Sequence, residues 1–139
     1  MTCFNSTPLE RTLAVRLGIP MYANDPDRRW LGGKNGSRAV LAAAGIETPR
    51  AVTGVRDAGD IAKGLAELRA EDPALRRAVV KLDEGFSGEG NATFDLEGAP
   101  GSGVESWALD QLMDRLTPIA AGMTAEHFVE KLQSMSGIV

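Results

Sequence analysis

Apolar residues recur along the chain with two different periods, and the switches between them mark its elements. Leu9, Leu13 and Leu17 lie four apart, the spacing of one helical face, and Gly18 follows as a stop. Ahead of them "TPLE" places Thr7 at an N-cap, Pro8 at the first helical position and Glu10 where a capping box needs its acid. "MTCFNST" before that helix reads as a strand end, and "IPMYA" after it as a short strand. "NDPDRRWLGGKNG" is turn-rich, and the spacing predicts a second helix from Ser37 to Ala44, closed by Gly45.

From residue 50 the periods alternate. "RAVTGV" predicts a strand, and Ile61, Leu65 and Leu68 predict a helix over about 58–70. "RRAVVKL" and "NATFDL" predict two strands. In the second, Ala92, Phe94 and Leu96 alternate with Thr93 and Asp95. "EGAPGSG" is a loop. Leu109, Leu112, Met113 and Leu116 predict a helix over 105–116, ended by Pro118. A last helix starts at Thr124, with Met123 and Phe128 placed for a hydrophobic staple, and ends near Ser136. "GIV" reads as the start of another strand. The expected fold class is α+β: a small, mostly antiparallel sheet with helices on one face, preceded by a helical α/β segment. The division falls between residues 48 and 49, giving parts 1–48 and 49–139.

Composition narrows the classes. The chain has 139 residues, 43% hydrophobic and 24% charged, which suits a folded, soluble domain. A net charge of −4 argues against nucleic acid or an anionic membrane bound through a basic surface. No apolar run reaches membrane-spanning length, and no signal segment opens the chain, so a cytoplasmic location is expected. Cys3 is the single cysteine and His127 the single histidine, so an internal disulfide is excluded and a zinc site is not expected. His127, in a predicted helix, reads as a surface or helix-packing residue, not a catalytic one. The abrupt ends suggest a piece of a longer protein.

The stretch "VVKLDEGFSGEGNATFDL" carries the candidate chemistry. Gly85, Gly88 and Gly90 fall within six positions, between two strands. A dinucleotide-binding loop would lead into a helix with the opposite glycine spacing. A Walker loop would end in Gly-Lys at a helix start. What remains is a hairpin flap whose bare backbone N–H groups can lie over phosphates, as in kinases. Strand alternation puts Arg77, Val79, Lys81 and Asp83 on one face, and Ala78, Val80 and Leu82 on the other. Lys81 then stands on the open face, where an ammonium can meet a phosphate. An ordinary hairpin with a solvated lysine fits the same residues. Asp83, Glu84 and Glu89 favour that plainer view, because carboxylates repel phosphate unless a metal intervenes.

Together with "LGGKNGSRAVLAAAGIETPRAV" and "STPLERTLAVRLGIPMY", this stretch resembles the ATP-grasp carboxylate–amine ligases, most closely the pheganomycin-type peptide ligases. The resemblance covers nearly the whole chain, in order. It implies that 49–139 is a lid-like subdomain, incomplete at its C-terminal side, and that 1–48 ends an N-terminal region. It implies ATP as the bound nucleotide, with Lys34 and Lys81 reaching its phosphates and Gly85, Phe86, Ser87, Gly88, Glu89, Gly90 and Asn91 forming the flap. Phe86 either covers the phosphates or packs under the hairpin; Ser87 offers a hydroxyl donor; Arg38 reads as structural.

In such ligases ATP phosphorylates a carboxylate, and an amine attacks the acyl phosphate to form an amide. The resemblance places the magnesium ligands and further substrate-binding groups beyond residue 139, so the chain alone is expected to bind nucleotide without turnover, as part of a parent ligase, and to hold no catalytic residue of its own. The alternative is an ATP-grasp-derived binding or interaction module without chemistry. An unrelated α+β domain would leave Lys34 and Lys81 facing different ways. An open strand edge near the last residues predicts a homodimer through strand pairing or exchange.

Overall fold

The computed structural model describes residues 1–85 and 88–139. Near its start Thr2 meets Tyr22 in a single parallel bridge, and the Tyr22 N–H donates to the Met1 carbonyl at 2.9 Å. Helix α1, Pro8–Leu17, crosses between them, as parallel neighbours require. Its ends are formed as expected: Thr7 and Glu10 close the capping box, and Gly18 takes φ 65°. The strand expected at "IPMYA" shrinks to this one bridge. Pro20 has no N–H to give to a ladder. Leu9, Leu13 and Leu17 do form a stripe, but all three are exposed, and Ala14 is the buried residue of α1.

The turn-rich run winds into a 3-10 segment, Pro26–Gly32, and α2 follows at Lys34–Ala43. The helix therefore begins three residues before the expected Ser37. Gly36 lies inside it for a steric reason. A Cβ there would overlap the Trp30 carbonyl, so only glycine lets α2 fold back against the 3-10 segment.

Five strands then form one sheet: β1 Thr53–Val55, β2 Arg77–Leu82, β3 Asn91–Asp95, β4 Leu116–Pro118 and β5 Gly137–Ile138. Their spatial order is β1-β5-β2-β3-β4, and every neighbouring pair is antiparallel. The helices between them are α3 Ala58–Glu71, α4 Val104–Asp110, α5 Leu112–Arg115 and α6 Ala125–Met135. This is the expected α+β arrangement. Ala78, Val80 and Leu82 of β2 and Ala92 and Phe94 of β3 turn inward, onto Ile61, Leu65, Leu112, Phe128 and Leu132 of the helices. Burying a ring such as Phe94 or Phe128 stabilises by roughly 1.5–3 kcal/mol. Trp107 packs edge-on to Phe94, with ring centres 6.1 Å apart, and the Arg115 guanidinium lies 4.8 Å over Trp107.

Two expectations for the C-terminal part change. The helix expected over 105–116 breaks at Gln111, and its last residue, Leu116, is already strand, paired with Phe94. Pro118 belongs to this strand instead of capping a helix. It is tolerated because β4 is an outer strand, where a missing N–H costs no ladder bond. The "GIV" strand is not at an edge. Ile138 pairs with Thr53 on one side and Lys81 on the other, so the outer strands are β1 and β4. Among the described residues no helix is long and apolar enough to cross a membrane.

Candidate functional site

The β2–β3 hairpin keeps a strict register, from Arg77 opposite Asp95 to Lys81 opposite Asn91. The ladder continues beyond the strands: the Leu82 N–H donates to the Gly90 carbonyl at 2.7 Å. The chain turns through 88–90 and enters β3, with no helix at Gly90. Each described glycine of the loop has a local reason. A Cβ on Gly85 would lie 2.8 Å from the Gly90 Cα, and one on Gly90 would lie 2.9 Å from the Gly85 Cα, so the arms touch through bare backbone. Gly88 sits at φ 84°, a left-handed turn, and its carbonyl accepts the Asn91 N–H at 3.0 Å. Glu89 is exposed at the tip. Phe86 and Ser87 lie outside the described residues.

The two lysines reach the base of this loop from different elements. Lys81 is half-buried on β2, on the face opposite Val80 and Leu82. Lys34 is the first residue of α2. Its Nζ donates to the Leu82 carbonyl at 2.7 Å and to the Asp83 carbonyl at 3.4 Å, and it would lie 3.5 Å from a Cβ on Gly85. Partial burial holds the Lys34 pKa below its ordinary 10.5; Asp83 opposes this, and the Lys81 charge adds to it. Lys34 therefore reaches the backbone of the residue that follows Lys81 on β2. Arg38 instead donates to the Pro49 carbonyl at 2.6 Å, a structural tie. His127 is exposed on α6, where its N–H is capped by Thr124.

Sequence reasoning missed the residues that join these parts. The Asp83 Oδ1 accepts from the Asn35 backbone N–H at 2.6 Å and from the Asn35 side chain at 2.9 Å. Gly33 makes room for it, since a Cβ there would lie 2.6 Å from Asp83 Oδ2. Glu84 pairs with Arg29 at 2.5 Å. The available signals were "GGKN" beside the lysine and the acid directly after β2. A cleft of about 1390 Å³ opens next to this junction, between residues 2–6 and the hairpin base, with Tyr22, Arg28, Lys34 and Gly85 on its walls.

Two ammonium groups and a stretch of bare backbone fit a polyphosphate by their donor chemistry. Among the described residues no group of three or more His, Cys, Asp or Glu is gathered to hold a metal ion. No curated protein and no solved structure matches the chain. Residues 28–134 match the family described as IQCH-like, ATP-grasp, well over half of the sequence, and the span takes in both lysines, the glycine loop and all of the sheet except β5. The chain belongs to the IQCH-like ATP-grasp family.

Proposed function

We propose that this chain is the nucleotide-phosphate-binding part of an ATP-dependent carboxylate–amine ligase of the peptide-ligase type, in which 49–139 acts as the lid. The observation that carries the reading is the reach of Lys34 to the backbone at the base of a glycine hairpin, at the residue that follows Lys81 on β2, in a chain of an ATP-grasp family. In this reading Lys34 and Lys81 contact the phosphates, and the backbone of Gly85, Phe86, Ser87, Gly88, Glu89, Gly90 and Asn91 closes over them. Neutralising the phosphate oxygens lets an acyl phosphate form on a substrate carboxylate, and the flap keeps water from it. The metal side of the reaction comes from carboxylates that these residues do not supply. A second copy pairing with the sheet would meet β1 or β4.

The test is titration of the chain with a fluorescent ATP analogue, displaced by ATP, ADP or adenosine. ATP and ADP should compete, and adenosine should compete far less. Lys81→Ala removes a charge-assisted contact of about 1.5–3 kcal/mol, so binding should weaken roughly ten- to a hundred-fold. Stability should barely change, because Lys81 is not part of the packed core. Equal affinity of the two proteins would remove Lys81 from the site.

One observation favours a second reading, a non-catalytic binding or interaction module. Asp83 and Glu84 stand beside Lys34, and the Lys34 ammonium is already engaged by two carbonyls. ATP-dependent ADP release by the full-length protein, offered mixed amino acids and peptides, separates the two. Binding without turnover would select the module.

A further inference from the structure

The start of α2 is unusual as helix chemistry. Its first residue is a cation at the positive end of the helix dipole, and its N-cap, Gly33, has no side chain to satisfy the free N–H groups. Asp83, 48 residues away along the chain, supplies what is missing. Its carboxylate takes the Asn35 N–H at 2.6 Å, and its carbonyl takes the Lys34 N–H at 3.2 Å. Asn35 is the other half of the joint. Its side-chain N–H groups reach Asp83 at 2.9 Å, the Gly137 carbonyl at 3.4 Å and the Ser136 hydroxyl at 3.5 Å. Its side-chain oxygen accepts the Gly54 N–H at 2.9 Å. One amide therefore ties α2 to β1, to β5 and to the exit of β2.

We propose that Asn35 and Asp83 are positioning residues that hold Lys34 against the base of the β2–β3 hairpin. The consequence for nucleotide rests on the functional reading above; the placement of Lys34 does not. Without the joint, α2 loses its cap and its anchor to the sheet. Lys34 then swings toward water and meets phosphate only after being reordered, which costs affinity.

The experiment uses the 139-residue chain with its lysines carrying ¹³C-methyl labels, which keep their charge, and follows their titration by NMR. Lys34→Arg identifies the Lys34 signal. In wild type that signal should titrate below the ordinary lysine value of 10.5. In Asn35→Ala it should move up toward that value as the ammonium gains water. Asn35→Ser keeps a polar side chain too short to span Asp83 and Gly54, so Lys34 should again move up; this variant serves if Asn35→Ala does not fold. An unmoved Lys34 midpoint in a folded variant overturns the proposal. A second arm measures ADP. Asn35→Ala should bind ADP about tenfold more weakly and adenosine unchanged, and it should cost nothing further in a Lys34→Met background. Equal losses in both backgrounds would mean that Asn35 acts on structure alone. Should the wild type bind no nucleotide, the functional reading fails, while the titration still decides the role of the joint between Asn35 and Asp83.

Discussion

Gly85→Ala should destabilise the protein by separating the two arms of the hairpin. The added Cβ would lie 2.8 Å from the Gly90 Cα and 3.1 Å from the Gly90 nitrogen, whereas ordinary contacts begin at 3.4 Å. The overlap with Cα is 3.4 − 2.8 = 0.6 Å. Both opposing atoms are backbone, so no side chain can rotate away. Relief has to come from moving the arms apart, next to the 2.7 Å hydrogen bond from Leu82 to Gly90. Overpacking of this kind costs about 1–3 kcal/mol, and weakening the hydrogen bond adds up to about 1 kcal/mol. Gly88 makes a contrast. Its φ is 84°, and among the described residues the nearest atom to an added Cβ is 3.9 Å away, so Gly88→Ala meets backbone strain and no clash with them. That strain is about 1–2 kcal/mol.

The two mechanisms separate on a second substitution. Asparagine tolerates the left-handed region, so Gly88→Asn should recover part of the loss. Gly85→Asn should recover none, because its Cβ meets the same backbone. Gly85→Ala and Gly90→Ala open the same gap, so the double variant should lose less than the sum of the two. Urea unfolding followed by circular dichroism measures all of these. A Gly85→Ala protein within 0.5 kcal/mol of wild type would refute the close contact, and with it the steric account of the loop's glycines.

The remaining predictions concern charge. Thr7→Ala removes the cap of α1 and should cost about 1 kcal/mol of unfolding stability. The Thr7 hydroxyl, with backbone N–H groups after it, holds the Glu10 pKa below its ordinary 4.5. A depressed carboxylate stabilises fully above 4.5 and loses that contribution as pH falls through its folded value, so the acid limb of a stability–pH curve should flatten in Thr7→Ala. Glu84→Gln frees Arg29 from its ion pair beside the candidate site. It should tighten ATP binding several-fold at low salt with little change in stability, since an exposed pair is worth little. Weaker binding on displacement titration would place Glu84 on the ligand's side of the site.

Much of the fold was legible because its signals are local. The caps at Thr7 and Thr124, the alternation through β2 and β3, and the helical stripe of Ile61, Leu65 and Leu68 each fit within a few residues of sequence. What stayed hidden depends on partners far along the chain. β4 has three residues and follows a helix without a turn, so only its pairing with β3 reveals it. The early start of α2 depends on Asp83, and the placement of Gly36 inside it depends on the Trp30 carbonyl. The apolar stripe of α1 was correct as periodicity and wrong as a guide to burial, because periodicity marks a face without saying what covers it.

The candidate site divides in the same way. Lys81 and the glycine loop could be placed from strand alternation, whereas the acids beside them could be read only as a liability. The structure gives Asp83 a reason to be there. A lysine at the first position of a helix is offset by an anion close by, and the same carboxylate that offsets the helix dipole also stands beside the proposed phosphate site. The cleft walls carry Arg28, Arg29 and Lys34 against Asp25, Asp83 and Glu84, so their formal charges cancel, 3 − 3 = 0. A triphosphate carries several negative charges. Under the proposed ligase reading these groups would orient it without offsetting its charge, so phosphoryl transfer would need positive charge brought from elsewhere.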